Sequence, residues 1–398
     1  MLNRNWLLVS IFFTLPFISY GQDKVGKIKF EGFGYIGADF RYFPQSGAYA
    51  DQKKAYFSSV FKPHFFFENN TKKHQVNFTA FARIDQFDTE RTHWDIRDLY
   101  WQSSFKNWEI SAGVKTVTWG KTESVNIVDI INQYDFLEGR SLEHKLGQPL
   151  LQLVNSSSLF TTELYLMTYA RELRFPGPLG RLTPGFKVEY TDVIFEEKNG
   201  KYKPDLAIRL SKYINDIDIA VSHFYGTNRI PVFTNNPQMK LVPLYNQINQ
   251  TAIEFQWLVY DFAFKVEAIH QLNKRKNIQA FTIGVEYNYY LLNGKEVKVL
   301  TEYTYDERGR ELITGFNNDV FLGMVLNFND IQSTSLNVGA IYDVDYHTTI
   351  LSFKGNRRIG DSWKLAAIFN GILNPGKEDF YYRIRKDSYL ELSLLKYY

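Results

Sequence analysis

Over most of the chain, apolar and polar residues trade places with period two, the pattern of strands with two unlike faces. Phe281, Ile283, Val285, Tyr287 and Tyr289 oppose Thr282, Gly284, Glu286 and Asn288, and Val297, Val299, Thr301 and Tyr303 oppose Lys298, Leu300 and Glu302. Alternation and turn punctuation together predict strands near 27–43, 54–68, 73–87, 95–106 and 107–119, then 150–154 and 159–169. The second half continues near 203–213, 216–226, 248–259, 260–272, 278–291, 295–306, 317–328, 332–345, 347–356, 362–372 and 387–397, for a total of about 18. The Pro- and Gly-rich run about 170–202 reads as a long connection, within which Phe186 to Phe195 forms a hairpin arm.

The period changes after Trp119. Ile127, Ile130, Ile131 and Tyr134 fall at i, i+3, i+4 and i+7, with Asn126 and Asp129 at N-cap and N3 spacing and Gly139 as a stop, which predicts a short helix. A strand that hands over to a helix-bearing loop at about 120–149 suits a membrane barrel with one loop folded inward. Trp119-Gly120-Lys121, followed by Asp129-Ile130-Ile131-Asn132 and Asp135-Phe136, with Asp98-Leu99-Tyr100-Trp101 upstream, resembles the pattern of a porin-like outer-membrane β-barrel family of unknown function. The chain departs from it at Asn132-Gln133, where that pattern has Asn-Pro. The resemblance implies a barrel fold and an outer-membrane location, and leaves the cargo open.

Residues 1–21 read as an export signal: Asn3 and Arg4 ahead of the apolar Leu7 to Ile18, then the small-x-small site Ser19-Tyr20-Gly21, with the barrel expected over 22–398. With no cysteine, the fold cannot rest on disulfides or on a lipidated cysteine. No later stretch approaches the length of an apolar membrane helix. Aromatic residues make up 17% of the chain, more than a soluble core usually needs and in keeping with two interfacial girdles. The short connections near 106–107, 213–216, 259–261, 291–295, 328–332 and 357–362 alternate with long ones and carry rings at their edges: Trp108, Tyr213, Tyr260, Tyr289, Tyr290, Phe328 and Trp363. The chain itself ends Tyr397-Tyr398. These features predict an all-β, transmembrane, antiparallel up-and-down barrel of about 18 strands with an inward-folded loop, wide enough for an aqueous lumen.

The formal charge of +3 gives no argument for nucleic acid or for a strongly acidic partner. On the inward loop, Lys121, Glu123, Asp129, Asp135, Glu138, Arg140, Glu143, His144 and Lys145 are candidates for a charge and size filter, the bland alternative being solvated residues that pair with the wall. Inward parity on the strands selects Arg83, Asp85, Glu109, Lys115, Arg209, Glu254, Lys265, Glu267, Glu286, Lys298, Glu302 and Lys354 as pore-lining, since charges at strand centres are costly against hydrocarbon. Their mixed signs equally suit a salt-bridged wall. His223 and His270 lie on outward faces with no serine motif beside them, so catalysis is not expected. No metal-ligand spacing, calcium loop or phosphate loop is present, and no cofactor is expected. The expected function is passive passage of small polar solutes or a specific substrate. Partners would be outer-membrane lipid and the solutes, with a homo-oligomer compatible. The alternatives are a closed barrel acting as envelope receptor or scaffold, and a component of lipid or polysaccharide export.

Overall fold

Strand pairing runs without a break from Ile28 to Tyr397 and closes on itself. The computed structural model describes residues 23–25, 28–183, 185–292 and 294–398; the expected export signal lies outside them. The barrel begins with β1 (Ile28–Tyr42), β2 (Ala55–Asn69), β3 (His74–Asp85), β4 (His93–Phe105), β5 (Trp108–Lys115) and β6 (Gln148–Ser156). It continues with β7 (Thr161–Met167), β8 (Asp205–Ile214), β9 (Ile217–Thr227), β10 (Gln247–Val259), β11 (Phe262–Leu272) and β12 (Asn277–Tyr290). The last six are β13 (Glu296–Asp306), β14 (Asn318–Asn327), β15 (Ser335–Asp343), β16 (Thr349–Ile359), β17 (Trp363–Leu373) and β18 (Tyr389–Tyr397). Each pairs antiparallel with the next, and β1 pairs with β18 from Tyr35↔Tyr397 to Tyr42↔Leu390, which makes an 18-stranded closed barrel. Closure leaves no free edge, so every strand finds hydrogen-bond partners on both sides, the condition for crossing hydrocarbon with strands. A short strand, Asp23–Val25, folds back on the start of β1.

Periodicity alone leaves open whether the apolar faces meet in a shared core or look outward; the exposures decide it. Leu164, Val221, Ile253, Ile283, Val299 and Leu322 project from strand middles and are all exposed. An apolar belt of this extent exceeds what a soluble surface carries, and it suits acyl chains. The predicted ring-bearing short turns are in place, with Trp108, Tyr213, Tyr260, Tyr289, Tyr290 and Trp363 exposed along that rim. Both ends of the barrel chain sit at the same rim, since Ile28 pairs with Asn69 and Tyr397 with Tyr35.

Several local expectations are corrected. The strand predicted over 107–119 ends at Lys115, and the one predicted over 159–169 spans Thr161–Met167. No hairpin arm forms over 186–195; only Ile194–Phe195 is strand, pairing in parallel with Leu244–Tyr245 in a small sheet with Val232–Asn235 outside the barrel wall. Most important, the segment 120–149 contains no helix; up to the start of β6 at Gln148 it holds turns such as Asp129 N–H to Asn126 C=O at 3.3 Å and an antiparallel bridge between Tyr134 and Lys145. Its apolar positions do not serve a single stripe. Val128, Ile130 and Ile131 pack with Trp119 against Tyr165, Phe224 and Ile269 of the wall, whereas Tyr134 and Phe136 join Phe175, Phe380 and Tyr381 from other long connections. Small wall residues Ala207, Ala252 and Ala280 make room for the first group.

Candidate functional site

Where a helix would satisfy its own backbone, this segment uses the wall. Glu254 of β10 accepts from Gly120 N–H at 3.1 Å; Glu267 of β11 accepts from Lys121 N–H at 2.6 Å and from Thr122 N–H at 2.9 Å. Glu302 of β13 takes Glu123 N–H and Ser124 N–H, both at 2.8 Å. Five consecutive backbone donors thus end on three carboxyl groups that strand alternation points inward. Gly120 is required here: its φ is +115°, and a Cβ would come within 2.8 Å of a Glu267 oxygen. Side chains complete the anchorage, with Lys121 pairing Asp218, and Lys265 bonding Glu123 at 3.0 Å and Glu286 at 2.9 Å. Lys298 reaches the same Glu123 at 3.4 Å. Arg209 grips Glu254 through Nε at 2.7 Å and Nη2 at 2.9 Å, and Glu163 at 2.8 Å, which holds the first acceptor in place.

The two ends of the segment are drawn together by Asn132, whose Oδ1 accepts Val117 N–H at 2.9 Å while Nδ2 donates to Leu146 C=O at 2.8 Å. Gln133, at the departure from the Asn-Pro pattern, is fully buried and donates to Arg171 C=O at 3.0 Å and Arg229 C=O at 2.8 Å. The amide thus ties this segment to two other long connections, a linkage proline could not make.

The far end of the segment meets β1 to β4. Arg83 forks onto Glu138 through two bonds of 2.7 Å and reaches Asp39 and Ser58 at 2.6 Å each. Arg97 pairs with Asp135, and Lys145 with Asp129 inside the segment. Arg91 pairs with Asp85 at 2.7 Å and bonds Leu137 C=O at 3.1 Å. Burial alone would push the Glu138 carboxyl up, but Arg83 and Arg91 outweigh it and hold the group well below the ordinary carboxylate range. For Asp135, the His93 hydrogen bond and Arg97 likewise prevail over burial and lower it. Asp129 is the exception: burial prevails over Lys145 and pushes its pKa up to about 6. Burial also keeps His144 below its usual value, so it adds no charge near neutrality.

These opposite shifts give a pH prediction with a sign. Folding raises the Asp129 carboxyl, so its contribution to stability is complete below the ordinary carboxylate range and is lost as pH climbs through about 6. Glu138 behaves in reverse, contributing above that range and losing its contribution only in strong acid. Acidification from pH 7 to 5 is therefore expected to neutralise Asp129 and release Lys145 while Glu138 stays anchored. Tryptic cleavage at Lys145 of the reconstituted protein should change with a midpoint near pH 6, and the step should vanish in Asp129→Asn; an unchanged step in that variant contradicts the assignment.

Of the residues singled out from sequence, Lys121, Glu123, Asp129, Asp135, Glu138, Arg83, Arg209, Glu254, Lys265, Glu267, Glu286, Lys298 and Glu302 meet in this network, and Lys354 reaches Glu143 at 3.2 Å. Lys115 does not join through its ammonium, which bonds Gln152 at 2.7 Å along the wall. Arg140 stands apart, its guanidinium stacked 4.4 Å from the Phe136 ring centroid and 4.5 Å from that of Phe380. Sequence reading missed Asp39 and Arg41, whose inward parity on β1 was legible, and Arg97, which a register shift at Thr79/Ala80 brings into the lumen. It also missed Arg229, fully buried against Asp205 at 2.8 Å and Ile131 C=O at 3.0 Å, which no period marks because it lies in a connection. His223 faces outward and bonds Thr251 at 3.0 Å.

No family model and no curated protein sequence matches the chain. Solved structures do. A BenF-like porin from Pseudomonas fluorescens Pf-5 is 9% identical over 95% of this chain and 99% of that one, with a TM-score of 0.56. Pseudomonas aeruginosa OccK11 is 9% identical over 93% and 95%, with a TM-score of 0.53. Wzi of Escherichia coli, described as an outer-membrane protein of group 1 capsule assembly and a carbohydrate-binding β-barrel, is 7% identical over 90% and 83%, with a TM-score of 0.53. At these identities the likeness is one of fold, and the fold is that of the porin-like barrels of the outer membrane.

Proposed function

We propose that the barrel is an outer-membrane channel for passive passage of small polar solutes or a specific substrate, and that residues 120–149 are its constriction. The observation that carries the reading is the anchorage itself: Glu254, Glu267 and Glu302 on one wall and Arg83 and Arg97 on another hold the segment between them, beside a remaining cavity of about 900 Å³. In this reading Lys121, Glu123, Asp129, Asp135, Glu138 and Arg140 form the narrowing, and Lys115, Lys298 and the other inward charges form the wall around it. Most of these charges neutralise one another, so the filter works first by size. Purified protein in a planar bilayer is expected to give discrete, ohmic conductance steps. Membranes that stay sealed at saturating protein contradict it.

A second reading, a closed barrel acting as envelope receptor or scaffold, draws on a different feature. Tyr134, Phe175, Ile313, Phe380 and Tyr381 bring four long connections into one apolar cluster at the long-loop end. Sealed membranes together with stable capture of an envelope glycan by the purified protein would favour it.

A further inference from the structure

The wall left free by the segment is unlike the rest of the lumen. Across four adjacent strands, Phe321, Ile341, Ile350 and Ile372 stand opposite one another in register, all on the inward face. All four line the cavity and none is fully buried. The next row toward the short-turn rim begins with two glycines in register, Gly323 and Gly339. A Cβ on either would come within 2.8 Å of the Phe321 ring, so the missing side chains let that ring lie against the wall as an apolar platform. Water gains nothing from such a surface, whereas a hydrocarbon group laid on it gains about 25 cal/mol for each Å² covered.

The charges that line the cavity itself are not balanced, Asp319 and Asp343 lying outside it, one row nearer the long loops. More Lys and Arg than Asp and Glu line the cavity. Its carboxylates are mostly taken: Glu138 and Asp39 by Arg83, Glu391 by Arg41, Asp387 by Arg181, and Glu123 by Lys265. Asp98 forms no ion pair among the described residues; it accepts Thr116 N–H at 2.9 Å and lies within electrostatic reach of Lys62. Three lining cations, by contrast, form no ion pair with a carboxylate among the described residues. Lys62 and Lys364 lie toward the short-turn rim, on the inward faces of β2 and β17. Arg140 lies at the other end of the apolar row, where Ile350 and Ile372 pack against the cluster holding Phe136 and Phe380. Its Nη2 donates to Ile313 C=O, while Nε and Nη1 have no partner. A hydrocarbon surface with unpaired cations at both ends is complementary to a solute with an oily body and one acid group.

We infer that this cavity takes amphipathic organic monoanions, the hydrocarbon part lying on Phe321, Ile341 and Ile350 and the acid group meeting Lys62, Lys364 or Arg140. The inference rests on the channel reading above, and its test separates the two. Permanently charged probes avoid leakage through lipid: hexanesulfonate, methanesulfonate and hexyltrimethylammonium, with arabinose as the neutral reference, applied to full-length protein in planar bilayers and in liposomes. Hexanesulfonate is expected to block the open-channel current at roughly tenfold lower concentration than either other ion, about the effect of one good contact. Lys62→Gln with Lys364→Gln should remove the preference over hexyltrimethylammonium, and Phe321→Asn the preference over methanesulfonate. Arg140→Gln reports the third cation by the same measure. Heat-modifiability on gels confirms that each variant is a folded barrel. Arabinose uptake with equal block by all three ions overturns the inference and leaves the channel standing; no current and no arabinose uptake overturns both.

Discussion

Replacing Arg83 with methionine is expected to destabilise the barrel by about 3–5 kcal/mol. Its guanidinium, 7% exposed, is shared by Glu138, Asp39 and Ser58, and the two carboxylates are equally buried. Methionine fills much of the volume and leaves both charges without that partner, so the cost lies in stranded charge and not in a cavity. Removing the charges as well, with Asp39→Asn and Glu138→Gln in the same chain, should recover most of the loss, because a neutral hydrogen-bonding set tolerates burial better than unpaired ions. Arg83→Lys should recover only part, since an ammonium cannot reproduce the fork on Glu138. Urea midpoints of the reconstituted barrel measure all three. A single variant within about 1 kcal/mol of the parent would show that Arg83 behaves as a solvated surface pair.

The second large effect is expected from the other anchor. Glu267 and Glu302 form no ion pair among the described residues, so Glu267→Ala with Glu302→Ala strands no cation in the wall. What it removes is the acceptor for the backbone N–H groups of Lys121, Thr122, Glu123 and Ser124, at about 1–3 kcal/mol for each donor left unsatisfied. That loss is local and exceeds what the partly buried ion pairs of Lys121 with Asp218 and of Glu123 with Lys265 and Lys298 can hold. The start of the segment should detach while the far end, on Arg83 and Arg97, stays in place. If the segment is the constriction, single-channel conductance rises about twofold or more, as expected when a barrel this wide loses its filling, and current noise rises with it. Limited trypsin digestion should then cut at Lys121. Unchanged conductance together with new cleavage at Lys121 would show that the segment moved without having narrowed anything.

The sequence by itself determined the barrel. Alternation along Phe281 to Tyr289 and Val297 to Tyr303 reports a face with two solvents, and a period of two survives any tertiary context because it is a property of the extended backbone. Strand number, the alternation of short and long connections and the ring-bearing turns followed from local residue chemistry within a few positions of each other. Inward parity also placed Glu254, Glu267 and Glu302 on the lumen side. What they bind lay beyond it: Glu302 meets Ser124 across 178 positions and Glu267 meets Lys121 across 146, and no local period encodes such separations.

The helix predicted around Ile127 to Tyr134 shows the same limit from the other side. Its spacing was correct for an amphipathic stripe, yet the residues are divided between two apolar clusters, and the backbone donors of Gly120 to Ser124 find carboxyl acceptors on the wall. Five bonds to wall carboxyl groups, with packing in both clusters, outcompete the bonds of one or two helical turns, which are marginal in isolation. Which inward charges pair and which do not was likewise settled only when three dimensions set Arg83 beside Glu138 and left Lys62, Lys364 and Arg140 with no ion pair among the described residues. Periodicity is a statement about one chain and its solvent; pairing is a statement about which distant atoms closure of the barrel brings within 3 Å.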